Sequence, residues 1–489
     1  MQEQPHRLAD ASSTLIEPLS PRSLTNDVLE QEKTASPNGG AESVGSEGQS
    51  TADFLRQLFR LLNELGVRYC VIHSWEGLPE HLGSDLDLAV HPDDKALITS
   101  IIDELKRSKY VAYHWNNYIT REHSVYFYWI DAEKVRTVAV DMMFEHRVAG
   151  LILASGEEIV ASRVRHGDFW VPAPEIEFSY LLAKKAWKGK ASCSQSLRLK
   201  HLVEFLGVEK AQGIAGRIFR HDLATRVVEA CANGSIDQEL GRLKGTSWQI
   251  PLYRRPLRTI RYWAGEFRRA IWRTTHPTGV LVSVLGPDGV GKSTVLESLG
   301  GEMMSPLRRL YLFHWRPQVV AKSRIKGPVT DPHGQTPRGS LISMAYLTAF
   351  FVDCWAGYLF VVEPGLVRCG FVQFDRYFHD VLVDPRRYRY GGPKWYAKLL
   401  SRLLPEPDLV ILLDADADLI LSRKTELTRD EIQRQRQAYG ELRFLRAQKV
   451  YIRTDAGIQQ TVTASAIAVA EFMKQRFENK MIEHWMGVA

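Results

Sequence analysis

The sequence predicts two α/β domains in series, joined by a helical extension and a basic connector, and three observations carry that reading. From Thr278 onward the short apolar runs VLVSVL, RLYLFHW, GFVQFD, DLVILLDA and VYIRTD alternate with helical stretches. That alternation predicts a parallel sheet flanked by helices on both faces. Between Thr51 and Trp170 a separate pattern of helix and strands appears. Finally, 489 residues with 45% hydrophobic content suit more than one buried core and two to four domains.

Residues 1–50 are rich in Ser, Glu, Pro and Gly and lack apolar periodicity, so this segment is expected to be disordered. The first domain is expected over 51–173. It opens with a helix whose Phe54, Leu58, Leu61, Leu62 and Leu65 share one face. Gly66 ends that helix, and strands follow at VRYCVI, at DLDLAV and, later, at TVAVDMMF. Residues 174–253 read as a helical extension, with apolar spacing in EFSYLLAKKAW and LRLKHLVEFLGV.

The connector, 254–277, contains the stretch Arg254–Arg273, which sets seven arginines against the single acid Glu266. Leu257, Ile260, Ala264, Phe267 and Ile271 form its apolar side. One reading is a membrane-surface helix drawn to anionic lipid. The plainer and preferred one is an interdomain helix whose arginines pair with neighbouring acids. The last domain is expected over 278–489. Its most apolar window, Leu341–Val362, carries Asp353 at its centre and is read as a buried helix, with a membrane span as the minor alternative.

Composition excludes several function classes. Lys and Arg exceed Asp and Glu by 63 to 57, a net charge of +6 that is too mild for a chain-wide nucleic-acid surface. Cys70, Cys193, Cys231, Cys354 and Cys369 are scattered, without a CxxC pair, which argues against a disulfide framework or a Cys-rich zinc module and fits a reducing compartment. The opening residues lack a signal-peptide core. A cytoplasmic location is expected, with contact at the inner face of the membrane as an extension of it.

The sharpest motif is Gly286-Pro-Asp-Gly-Val-Gly291-Lys292-Ser293, a full match to G-x-x-x-x-G-K-[ST] between an apolar strand and a helix. Glycines let backbone N–H groups turn toward phosphate oxygens, and the helix N-terminus favours the anion. Lys292 is expected on the β- and γ-phosphates of ATP, and Ser293 on Mg²⁺. Gly286, Asp288, Gly289, Gly291 and Thr294 complete the expected nucleotide-binding set.

Over most of Thr278–Phe477 the chain resembles the thymidylate kinase family of nucleoside monophosphate kinases. The resemblance rests on Asp288 within the loop, Asp375-Arg376-Tyr377 after the third strand, PDLVILLDAD at Pro407–Asp416, and Arg423-Lys424 in the lid region ahead of a helix holding Tyr439. It implies an α/β kinase in which Arg376 contacts the acceptor phosphate, Asp375 holds a Mg²⁺-bound water or orients the acceptor, and Arg423, Lys424 or Arg429 closes over the γ-phosphate. The chain departs from the family at His314-Trp-Arg316-Pro, at the polar insertion Ala321–Ser340, and at Phe378–Gly392. There Arg386, Arg387 and Arg389 interleave with Tyr388 and Tyr390. With Asp288, Arg316 and Arg376, these arginines form the expected substrate-binding set, suited to an anionic acceptor.

In the first domain, Gly83-Ser84-Asp85-Leu86-Asp87 places two carboxylates on one strand face, and Asp141 is a natural third. Such a set can share divalent metal. The segment resembles the nucleotidyltransferase superfamily, with His73 standing where that family carries a glycine before Ser74. Active transferase, binding-only remnant and a different enzyme all remain open for it.

The expected function is ATP-dependent, Mg²⁺-assisted phosphoryl transfer to a phosphorylated small molecule, first of all a nucleoside monophosphate such as dTMP. One alternative is a kinase or nucleotidyltransferase acting on a sugar phosphate or envelope-glycan precursor. Another is an ATP-binding switch without transfer. No nucleic-acid partner is expected; a homodimer is left open.

Overall fold

The computed structural model describes residues 44–485, apart from 73, 120–121, 133, 149–150, 244–255, 304–306, 317–335 and 425–426. The first helix, Val44–Glu64, begins inside the segment expected to be disordered; the rest of that segment lies outside the described residues. A physical reason is Ser50. Its hydroxyl is buried and accepts a 2.8 Å hydrogen bond from the indole of Trp129, the largest fully buried side chain of the first sheet.

The first domain is a five-stranded mixed sheet of β1 (Tyr69–Val71), β2 (Leu86–Val90), β3 (Val111–Ile119), β4 (Glu122–Asp131) and β5 (Lys134–Met143), in the order β1-β2-β5-β4-β3. β2 and β5 are parallel, and Asp87 pairs with Asp141. The hairpin β3–β4 is absent from the sequence reading because its aromatic, mixed-polarity residues obscure the period of two. Two short antiparallel ribbons follow, β6 (Glu145–Val148) with β7 (Leu151–Ser155), and β8 (Val164–His166) with β9 (Phe169–Val171). Helices Pro174–Lys188, Cys193–Leu206, Val208–Ile218, His221–Ala232 and Ile236–Leu243 then build a core of their own.

The second domain is a fully parallel sheet of β10 (Val280–Leu285), β11 (Arg309–His314), β12 (Gly370–Asp375), β13 (Leu409–Asp414) and β14 (Gln448–Arg453), in the order β11-β12-β10-β13-β14. All five expected strands are present. Alternate residues of β10 enter cores on opposite faces, Val280, Val282 and Val284 on one and Leu281 and Leu285 on the other. This two-sided burial produces the continuous apolar runs in the sequence.

The C-terminal helix Ile458–Trp485 packs on helix Lys292–Glu302 and β14, and also on β3 of the first domain. Tyr113, Tyr126 and Tyr128 thereby join the second domain's core, and the Tyr128 hydroxyl donates to Glu471. The two sheets therefore share one packed interior.

The apolar window departs from its expected burial. It is helical over Ser340–Val367, but only 28% of its most apolar stretch is buried. Ser343, Leu347, Phe350, Asp353 and Gly357 form a buried stripe, whereas Leu341, Ile342, Tyr346 and Val352 are exposed.

Candidate active site at the phosphate-binding loop

The chain leaves β10 on one side for β11 and β12 and on the other for β13 and β14. A crevice at the carboxyl end of β10 is where such a sheet places a ligand. The loop Gly286–Gly291 sits there, and helix Lys292–Glu302 opens directly after it. Gly286 has φ 148°, and a Cβ on it would lie 2.4 Å from the Leu413 carbonyl oxygen. Gly289 has φ 85°, with Lys424 Cβ 3.1 Å from where its own Cβ would be. Neither position admits a side chain without rearrangement.

Three cations converge on Asp288. Lys292 Nζ donates to it at 3.3 Å, and to the Gly286 and Pro287 carbonyls at 2.8 Å each. Arg376 donates through Nη2 to Oδ1 and Arg387 through Nη1 to Oδ2. Burial alone would raise the Asp288 carboxyl, but Lys292, Arg376 and Arg387 hold it far below the usual range. Burial, seconded by Arg376, lowers the Lys292 ammonium to about 8.

Arg376 is set by strain and by a buried acid. It follows β12 at φ 73°, and its neighbour Trp315, just past β11, is at φ 69°. Left-handed non-glycine residues cost of order 1–3 kcal/mol each and cluster at functional sites. Arg376 Nη1 donates at 3.0 Å to Asp380, which is completely buried and also accepts from the Tyr388 and Tyr439 hydroxyls. The sequence reading assigned no role to Asp380; its signal is its place four residues after Arg376 within Phe378–Gly392.

Ser293 Oγ donates to Asp375 Oδ2 at 3.3 Å, and His314 Nδ1 lies 3.2 Å from the same oxygen. Burial raises the Asp375 carboxyl, but the His314 hydrogen bond and the Lys292 charge outweigh it and leave it lowered. Asp375 Oδ1, Arg376 Nε and Trp315 Nε1 are buried without hydrogen-bond partners. Orphans of this kind call for a missing partner group. A hydroxyl beside an ionised carboxylate with a spare oxygen is a hard, oxygen-only set. It suits Mg²⁺, which takes one or two protein oxygens and completes its shell with water and phosphate.

Other expected site residues lie apart from this cluster. Arg386 is exposed. Arg389 donates to the Thr336 carbonyl at 3.2 Å, tying the loop to the segment before helix Ser340–Gly357. Arg316 approaches buried Asp353 at 3.9 Å, and Arg423 donates to Thr454 at 3.5 Å. Arg429 pairs with Asp418. Lys424 stays beside Gly289, and Thr294 is exposed on the first turn of the helix.

In the first domain Asp85 precedes β2 and is exposed, while Asp87 is buried. Lys184, from helix Pro174–Lys188, lies 3.5 Å from Asp87 and donates to Tyr180 at 2.8 Å. Burial and the charge of Asp87 raise the Asp141 carboxyl to about 7. Among the described residues, no group of three or more His, Cys, Asp or Glu side chains is placed to hold a metal ion. An ammonium already sits against one of these carboxylates. His73 lies outside the described residues.

No protein-family model matches the chain, and neither does any curated protein. Among solved structures, a thymidylate kinase from Candida albicans is similar at 18% identity over 40% of this chain and 91% of its own, with a TM-score of 0.29. A thymidylate kinase from Ehrlichia chaffeensis is similar at 16% identity over 40% of this chain and 99% of its own, with a TM-score of 0.27.

Proposed function

We propose that the second domain is a phosphotransferase that moves the γ-phosphoryl of ATP to a small molecule already carrying phosphate. The observation that carries this reading is the convergence of Lys292, Arg376 and Arg387 on the single carboxylate of Asp288 at the mouth of a phosphate-binding loop. Three cations on one internal anion form a site that an incoming phosphate can share or take over. Phosphoryl transfer between two anions needs positive groups on both sides of the moving group.

In this reading the loop N–H groups and Lys292 hold the donor phosphates, and Arg376 and Arg387 hold the acceptor. Asp380, with Tyr388 and Tyr439, fixes the guanidinium of Arg376. Ser293 and Asp375 would hold Mg²⁺, which neutralises charge between the β- and γ-phosphates when bound. Lys424, beside Gly289, is the lid candidate at the loop, and Arg423, its neighbour in sequence, is a second. A nucleoside monophosphate such as dTMP is the first acceptor to try. A phosphorylated sugar or glycan precursor is the second, because two guanidinium groups recognise phosphate without reading a base.

For the first domain we propose a binding role, because Lys184 already neutralises Asp87.

The test is ATP consumption by the full-length protein with Mg²⁺, against nucleoside monophosphates and sugar phosphates, with Lys292→Ala as control. Stimulation by one acceptor class that disappears in the variant supports the reading. ATP binding without stimulation by any acceptor would leave the chain a nucleotide switch.

A further inference from the structure

Helix Pro256–Thr275 turns its polar side to the protein and its apolar side to water, the reverse of an ordinary surface helix. On the inner side Thr259 is buried, Glu266 pairs with Arg269 at 2.6 Å, and Arg273 donates to Thr278 at 2.8 Å. On the outer side Leu257, Ile260, Trp263, Phe267 and Ile271 are all more than half exposed, Leu257 at 81% and Phe267 at 69%. The apolar side is thus unpartnered among the described residues. Exposed Arg261 and Arg268 lie along one edge of this stripe, roughly 80–100° around the helix from its centre.

A second apolar face adjoins the first. Helix Ser340–Val367 exposes Leu341, Ile342, Tyr346 and Val352, and its last turn, Glu363–Val367, packs on helix Pro256–Thr275. It lies on a surface and does not span a bilayer. The chain enters this excursion from β11 and leaves it into β12, its parallel neighbour in the same sheet, so a single crossing has no return. Its buried stripe also faces the domain.

We propose that these two helices dock the protein on an anionic lipid bilayer, with the stripe of Pro256–Thr275 entering the headgroup boundary and Arg261 and Arg268 meeting lipid phosphates. An apolar stripe with aromatics and a cationic edge is the signature of an interfacial helix. An antiparallel two-fold contact with a second copy would bring each cationic edge toward its like, and a parallel one would leave both edges without an anionic partner.

The experiment is co-sedimentation of the full-length protein with phosphatidylcholine vesicles, with and without phosphatidylglycerol, at low and high salt. Binding is expected with phosphatidylglycerol and is expected to weaken as salt screens the charges. The double substitution Arg261→Gln with Arg268→Gln is expected to lower partitioning on the order of thirtyfold. Phe267→Asp is expected to lower it on the order of tenfold or more. Both sites are exposed, so circular dichroism melts should match the wild type; if Phe267→Asp melts early, Leu257→Ser replaces it. Absence of binding at low salt, or binding indifferent to the apolar substitution, overturns the proposal. So does a dimer, seen by sedimentation equilibrium, that Phe267→Asp splits without changing vesicle binding.

Discussion

The Ser293 hydroxyl, on the first turn after the phosphate-binding loop, donates at 3.3 Å to Asp375, the last residue of β12. β10 and β12 are parallel neighbours, with Val284 registered against Asp375, so the two oxygens meet because two strands end at the same height. The geometry depends on sheet register, which makes it stiff. Asp375→Asn keeps the shape and removes the charge. It is expected to lower kcat on the order of a hundredfold or more, the range seen when one preorganised electrostatic group is lost. ATP affinity measured by titration calorimetry without Mg²⁺ should change little. An unchanged kcat at saturating Mg²⁺ would remove Asp375 from the metal set.

Arg387 tests the acceptor side separately. It reaches Asp288 from a loop rather than from a strand end, and its backbone N–H is held by Asp384 at 3.2 Å. Replacing it by Gln removes one charge-assisted hydrogen bond, worth about 1.5–3 kcal/mol. Acceptor KM is expected to rise roughly 10- to 150-fold by the same range, with the KM for ATP nearly unchanged. Equal rises in both constants would place Arg387 on the donor side.

Asp380 is a buried carboxylate whose donors are Arg376, Tyr388 and Tyr439. Asp380→Leu strips the buried Arg376 guanidinium of one of its two carboxylates and leaves it to share Asp288 with Lys292 and Arg387, a loss of about 3–5 kcal/mol. Tyr439→Phe removes one donor of three and is expected to cost about 1 kcal/mol. Urea denaturation measures both, and the large gap between them is the prediction. Similar losses would mean that packing, and not charge, holds Arg376.

The sequence makes the second domain legible because its signals are local. β10 is apolar at every position since both faces are covered, and the loop glycines are required by φ and by contact with Leu413. The acceptor side is less legible. Arg386, Arg387 and Arg389 look equivalent in sequence, yet only Arg387 reaches Asp288, because Arg389 turns to Thr336 and Arg386 to solvent. Lys184 could not be placed from spacing, as it comes to Asp87 across nearly a hundred residues. Periodicity finds the apolar face of helix Pro256–Thr275 but cannot say that the face turns outward, because that depends on what lies opposite.

His379 supplies one pH dependence. It is buried beside the Phe444 ring, 4.6 Å between centroids, and its Nδ1 has no hydrogen-bond partner. Burial lowers its pKa from 6.5 to about 4, against the opposing pull of Glu406. The native imidazole is therefore neutral where the unfolded one takes up a proton. Stability from this residue is complete above about pH 6.5 and falls as pH drops toward 4, because the unfolded chain binds more protons in that window. A shift of this size corresponds to about 3 kcal/mol. His379→Phe keeps an aromatic ring beside Phe444 and cannot titrate. Its stability relative to wild type is expected to improve by that order between pH 7 and pH 4.5, measured by urea midpoints at both values. A difference between the two proteins that stays constant across this range would show that His379 is protonated or solvated in the native state.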